Sequence, residues 1–259
     1  MIVHSPAALK YKPARIISLV PSQTELLFQL QLEEQVVGIT KFCIYPETWK
    51  SSKTIIGGTK NINLEKIKQL NPDLIIANKE ENEKQQMLEL AKDYPVWITD
   101  VSNLGDSLKM IEDIGVLTHS NQPAQTLTAG IQSAFNSLIP IKKPLNCCYV
   151  IWKNPYMVAA AATFINDMLQ RCGLQNMFAG INRYPEINIE NLKEQHCDLL
   201  ILSTEPYPFT QVHVNELQEQ LPETKIIIAD GEMFSWYGSR LLLAPAYFKK
   251  LIATIETIK

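Results

Sequence analysis

Ile62-Asn63-Leu64-Glu65-Lys66-Ile67-Lys68-Gln69-Leu70-Asn71-Pro72-Asp73-Leu74-Ile75-Ile76-Ala77 and Ile187-Asn188-Ile189-Glu190-Asn191-Leu192-Lys193-Glu194-Gln195-His196-Cys197-Asp198-Leu199-Leu200-Ile201-Leu202 decide the fold. Each stretch opens with a short entry segment and places a glutamate, Glu65 or Glu190, in a first helical turn. An apolar stripe follows, then an aspartate, Asp73 or Asp198, leading a buried strand. Two copies of one αβ unit imply two related lobes facing a cleft, where small ligands bind. Chance recurrence of Leu-Glu-x-Ile and Asp-Leu-Ile patterns is the alternative. It must reproduce the glutamate, the stripe and the Asp-Leu pair in one register.

Outward from these copies, Arg15-Ile16-Ile17-Ser18-Leu19-Val20 reads as the first core strand, ended by Pro21. Ser22-Gln23-Thr24-Glu25 has the spacing of a capping box, Ser22 as N-cap and Glu25 at N3, before a short helix carrying Leu26, Leu27 and Leu30. Val36 to Ile39, Val96 to Ile98, Cys147 to Trp152 and Lys225 to Ala229 are further strands. A helix over Thr163 to Cys172 ends where Gly173 can serve as C-cap, and the final helix is expected to start near Arg240. From Pro123 to Ile139, Ala124, Leu127, Ile131, Ala134, Phe135 and Leu138 keep a helical period with no strand close behind, so this segment predicts a rigid connection. The expected architecture is α/β: two Rossmann-like lobes with mainly parallel sheets, residues 1–120 and 143–259, joined by one long helix within 121–142.

With 259 residues, 46% of them hydrophobic, the chain can fill two cores. A net charge of −3 without a basic block argues against nucleic acid. Five cysteines in no C-x-x-C pair suggest no systematic disulfides. Met1 to Lys12 lacks the apolar core of a signal peptide, and no run reaches membrane-spanning length.

No catalytic constellation is present: no G-x-S-x-G, Walker A, G-x-G-x-x-G or H-E-x-x-H pattern, and four histidines without ligand spacing. No catalytic residue and no metal ligand is therefore assigned. Aromatic residues do cluster just after strand ends, the ligand edge of open α/β sheets. They are Tyr45, Trp152 with Tyr156, Tyr207 with Phe209, and Phe234, Trp236 and Tyr237. Such rings either stack on a large planar ligand or plug the ends of the cores. Glu205 and Arg240, with Asp230 and Glu232, supply polar groups among them. His213, after an aromatic loop, has two readings, ligand contact or loop support.

These motifs resemble the class III, helical-backbone periplasmic binding proteins, and within them the receptors of cobalamin importers. The resemblance runs from Arg15-Ile16-Ile17-Ser18-Leu19-Val20-Pro21-Ser22-Gln23-Thr24-Glu25 to the final helix. It is carried by Tyr45-Pro46, Asn63-Leu64-Glu65, Asn71-Pro72-Asp73-Leu74-Ile75-Ile76 and Cys172-Gly173 leading to Asn176-Met177-Phe178. It implies a monomeric, non-enzymatic receptor without intrinsic cofactor that captures a corrinoid such as cobalamin between two lobes. It further implies that Tyr45 lines the corrin site and that Glu65 and Glu190 dock on arginines of an ABC permease. Lys60 stands where cobalamin receptors carry a tryptophan, so haem, a siderophore or another metal chelate are the alternative ligands. The family is periplasmic or membrane-associated. A cytoplasmic corrinoid binder uncoupled from transport is the alternative if the missing signal peptide is genuine, and an enzyme using His213 and Glu205 is the remaining reading.

Overall fold

The continuous apolar runs become strands covered on both faces, as parallel sheets require. In the computed structural model, which describes residues 1–257 apart from the side chain of Asn191, the chain divides into two units. The first comprises Met1–Val101, Gly105–Gln132 and Tyr237–Leu242; the second comprises Ser102–Leu104, Ser133–Trp236 and Leu243–Lys259.

Along the first part run β1 (Ile2–Val3), β2 (Ile16–Ser18), α1 (Pro21–Gln29), β3 (Val36–Ile39), α2 (Glu47–Ser52) and β4 (Thr54–Ile55). They continue with α3 (Leu64–Leu70), β5 (Leu74–Asn78), α4 (Lys84–Asp93), β6 (Val96–Thr99) and α5 (Leu104–Leu117). The sheet order is β1-β6-β5-β2-β3-β4, with every pairing parallel. Ile17, Leu19, Ile67, Ile75, Met87 and Val96 form the core of one face. The next helix, α6 (Asn121–Asn136), carries the chain from the first unit into the second, the change falling after Gln132.

Next come β7 (Asn146–Trp152), β8 (Tyr156–Val158), α7 (Phe164–Arg171), β9 (Gln175–Asn176), β10 (Glu186–Ile187) and α8 (Ile189–Glu194). The chain ends with β11 (Leu199–Ser203), α9 (Gln211–Gln220), β12 (Lys225–Ala229), α10 (Gly231–Ser235), a 3-10 turn (Ser239–Leu242) and α11 (Ala244–Thr257). The second sheet has the order β10-β8-β7-β11-β12, with β9 also on β7. Its β7-β11, β11-β12 and β7-β9 pairs are parallel, and its β7-β8 and β8-β10 pairs antiparallel.

The duplicated motif folds the same way twice. Asn63 accepts a hydrogen bond from the Lys66 amide at the start of α3, and Asn188 one from the Glu190 amide at the start of α8. After each helix a non-glycine residue turns left-handed at the same place in the motif, Asn71 at φ 44° and His196 at φ 52°. Each aspartate then clamps the entry of the neighbouring strand. Asp73 accepts from the Ala14 and Arg15 amides at 2.8 Å, and Asp198 from the Asn146 amide at 2.8 Å. Glu65 and Glu190 are exposed on the first turns of the two helices.

Two local expectations need correction. The Ser22–Glu25 capping box does not form, because Pro21 is itself the first helical residue and Val20 stands at the N-cap without a side-chain bond. Thr24 instead bonds Val20 O and the Ser18 hydroxyl, freeing Glu25 for a distant partner. The last helix starts at Ala244 rather than near Arg240, since Pro245 favours a first helical turn and the preceding residues form the 3-10 turn.

Candidate functional site

In the first unit, the loops at the carboxyl ends of the strands are pinned by buried amides and hydroxyls. Asn82 donates to Leu19 O at 3.2 Å and Thr59 O at 3.0 Å and accepts from the Asn78 amide at 2.8 Å, tying three segments together. Thr24 and Thr40 hydroxyls lie 3.0 and 3.2 Å from the Cys43 sulfur, fixing the start of the loop that ends in Tyr45. Lys60 is not a free cation at this edge: its ammonium donates to Glu80 O at 2.5 Å.

Tyr45 keeps 38% of its surface exposed. The Arg240 guanidinium lies 4.3 Å from its ring centroid, within cation–π range. Arg240 is only 8% exposed and forks onto Glu25, Nε to Oε2 at 3.0 Å and Nη2 to Oε1 at 2.7 Å. A two-pronged charged contact of this kind fixes orientation as well as position. It joins α1, the Tyr45 loop and the 3-10 turn, all within the first unit.

In the second unit, Trp152 ends β7 with 41% of its surface exposed and meets Tyr207 edge-on at 5.7 Å. Tyr207 packs on Phe209 at 4.6 Å and His213 at 5.5 Å. His213 Nδ1 accepts the Thr210 amide at 3.0 Å, closing a capping box at the start of α9, and Nε2 lies 3.3 Å from the Tyr207 hydroxyl. Lys153 pairs with Glu216 at 2.6 Å, which holds the Glu216 carboxyl below its ordinary pKa and the Lys153 ammonium above its own. Tyr156 packs partly buried against the core cluster that contains Phe209. Glu205 accepts the Ser235 hydroxyl at 2.6 Å. Gly231 is required beside it, since a Cβ there would come within 2.5 Å of Glu205 Cγ and Ser203 Oγ.

A periplasmic binding protein profile matches residues 16–225. The chain belongs to that family. It is 25% identical over 239 residues to the vitamin B12-binding protein of Pectobacterium carotovorum subsp. carotovorum (strain PC1), covering 90% of this chain and 86% of the relative. Among solved structures it is similar to the periplasmic haem-binding protein RhuT from Roseiflexus sp. RS-1, with a TM-score of 0.78 and 21% identity over 93% of this chain and 97% of that one. It is also similar to the siderophore-binding protein BauB, with a TM-score of 0.75 and 18% identity over 94% of each chain. Structural matches at these identities establish the two-lobed α/β fold, and these relatives are named for binding rather than catalysis.

Not every expected edge residue of this binding protein lies on an edge. Phe209, Phe234, Trp236 and Tyr237 are buried. Phe234 is fully enclosed, 5.0 Å from the Tyr149 ring and 4.8 Å from Phe248, because α10 turns it onto α11 and β7. Of the eight aromatics placed after strand ends, Tyr45 and Trp152 remain more than a third exposed, and Tyr156 and Tyr207 are intermediate. Arg240 lies against the Tyr45 ring and supports it. Glu25 was missed as a site residue, since nothing local in sequence links it to a partner 215 positions away. Thr210 was also missed, although Thr-x-x-His has the N-cap to N3 spacing of a capping box.

The thiols are poorly placed to act as nucleophiles. All five cysteines are free and buried, and burial pushes Cys172 up to about 12 and Cys197 to about 11. Among the described residues, no three His, Cys, Asp or Glu side chains group as metal ligands, and no helix is long and apolar enough to cross a membrane.

Proposed function

We propose that this periplasmic binding protein captures a corrinoid of the cobalamin class on its aromatic strand-end loops and delivers it to an ABC-type importer. The observation that carries the reading is the pair of braced, exposed rings. Tyr45 is covered on one side by Arg240, and Trp152 is held edge-on by Tyr207. A ring already fixed in the free protein gives a flat ligand contact area while losing little side-chain entropy. The vitamin B12-binding relative, aligned over nine-tenths of the chain, supports a corrinoid before other planar ligands. Exposed Glu65 and Glu190, in matching first turns of α3 and α8, support docking on paired arginines of a permease.

Haem is the second reading, favoured by two features. The Tyr45 phenol is a hard oxygen donor of the type that can hold haem iron, and Lys60 stands where cobalamin receptors carry a stacking tryptophan.

Separate titrations with cyanocobalamin, haemin and a ferric catecholate, followed by calorimetry and visible absorbance, test the proposal. A one-to-one complex with cyanocobalamin is expected. Haemin binding with a tyrosinate-type absorbance spectrum lost in Tyr45→Phe would replace the corrinoid reading with the second. No retention of any of the three would overturn both.

A further inference from the structure

Between β3 and Tyr45 the chain makes a four-residue turn, Thr40-Lys41-Phe42-Cys43, closed by the Cys43 amide donating to Thr40 O at 3.1 Å. Its two end residues are buried and its two central residues exposed. Cys43 is the anchor: it is fully enclosed, and the Thr24 and Thr40 hydroxyls lie 3.0 and 3.2 Å from its sulfur. Held at both ends, the turn presents Phe42 with 50% of its surface exposed, in the same loop as Tyr45.

Single exposed apolar residues are common on protein surfaces, but Phe42 is held from two further directions. The Lys41 ammonium stands over its ring, 5.0 Å from the centroid, within cation–π range. The turn from Gly57 to Asn61 is tied to this one by the Lys41 amide, which donates to Gly57 O at 2.8 Å. It is closed by the Gly58 amide donating to Asn61 O at 2.9 Å. Gly58 has no left-handed φ, so its backbone does not call for glycine. Its missing side chain has a packing reason instead. A Cβ there would come within 3.2 Å of Phe42 Cε2 and 3.5 Å of Lys41 Cε, so the turn leaves room for the ring and the lysine stem together. Lys60, in the same turn, sends its ammonium to Glu80 O, and Phe42 supplies the aromatic surface here.

We propose that Phe42 is a ligand-contact ring that stacks, together with Tyr45, on the flat face of a macrocycle and makes this edge selective for planar ligands. The two rings are built alike. Each has a cation at its face, Lys41 at 5.0 Å for Phe42 and Arg240 at 4.3 Å for Tyr45. Because turn, lysine and glycine already fix the Phe42 ring, stacking on it costs little side-chain entropy. The inference rests on the reading above that the strand-end loops take a planar macrocycle, and it adds a residue that determines which ligands fit.

Wild type, Phe42→Ala, Phe42→Leu and Phe42→Tyr are titrated with cyanocobalamin, haemin and metal-free protoporphyrin IX, followed by calorimetry and visible absorbance. A thermal melt checks that each variant is folded. For whichever macrocycle the wild type retains, Phe42→Ala should weaken binding about tenfold. Phe42→Leu, which keeps apolar bulk without a ring, should bind about fivefold more weakly than wild type, and Phe42→Tyr within about twofold of it. Should Phe42→Ala fail to fold, the leucine and tyrosine variants decide the matter between them. Wild-type affinity in both Phe42→Ala and Phe42→Leu overturns the proposal and leaves the planar-ligand reading standing. Full affinity in Phe42→Leu alone overturns the stacking role, since bulk would then suffice. Binding of none of the three macrocycles by the wild type overturns the planar-ligand reading and this proposal with it, a failure seen before any substitution is made.

Discussion

The two candidate edges hold their exposed rings by different physics. In the first unit, Tyr45 lies on a buried arginine that is forked onto a carboxylate, so its support is electrostatic and enclosed. In the second, Trp152 is braced by Tyr207, which leans on Phe209 and His213, so its support is aromatic packing. A buried ion pair is poorly screened by salt, and packed rings hold each other through apolar and edge-to-face contact. The first edge should therefore depend on keeping both charges of its pair, and the second on keeping its rings packed.

The sharpest way to break this comparison is to show that the second unit's aromatic supply is not divided between core and edge. Phe234→Ala deletes a fully buried ring packed on Tyr149 and Phe248. It should cost about 4 kcal/mol of stability, read by urea unfolding, while Trp152→Ala costs little stability and lowers ligand affinity. Should Phe234→Ala instead weaken binding and leave unfolding unchanged, the ring would belong to the edge.

Arg240→Ala comes next. It leaves Glu25 half-enclosed without its partner and should cost about 3 kcal/mol. Glu25→Leu combined with Arg240→Met should recover much of that loss, because an apolar pair of similar volume avoids desolvating two charges. Ligand affinity should not recover in the double variant, since Tyr45 still lacks its cation. Full recovery of both stability and affinity would show that the pair serves stability alone.

What the sequence disclosed follows the range of each interaction. The repeat was legible because helix, turn and strand are local: Ile67 and Leu192 on the two helices, and the aspartates that lead Leu74 and Leu199, stand at matching places in the two stretches, although each aspartate spends its bonds on a strand more than 50 positions away. Positions after strand ends were legible too. Which aromatic faces outward was not, because α10 decides it over five residues and Phe234 finds its partners on β7 and α11. Glu25 was misread for a related reason. A capping-box spacing is a local signal, and Pro21 with the distant Arg240 outweighed it.

The duplicated clamp offers a smaller, internal version of the comparison. Asp73 accepts two backbone amides and Asp198 one. With hydrogen bonds to a charged acceptor worth somewhat more than neutral ones, Asp73→Ala should cost about 2 kcal/mol and Asp198→Ala about 1 kcal/mol. Parallel urea titrations would measure the difference, and a larger loss at Asp198 would mean that the two copies do not use the aspartate alike.

The smallest effect concerns the pair beside His213. Lys153 and Glu216 meet at 2.6 Å near the surface, unlike the enclosed Arg240–Glu25 pair. The depressed Glu216 carboxyl contributes stability that is present above its unfolded pKa and lost as pH falls through the folded value, below the ordinary carboxyl range. The raised Lys153 ammonium contributes below 10.5 and loses that contribution as pH climbs through its folded value. Between those limits the pair is charged on both sides and open to screening. Raising sodium chloride from about 0.05 M to about 0.5 M should erase the melting-temperature difference between wild type and Glu216→Gln. The larger difference between wild type and Arg240→Ala should survive the same change. If both differences shrink in proportion, the first edge is as open to solvent ions as the second, and the contrast between an enclosed charged lock and an aromatic brace fails.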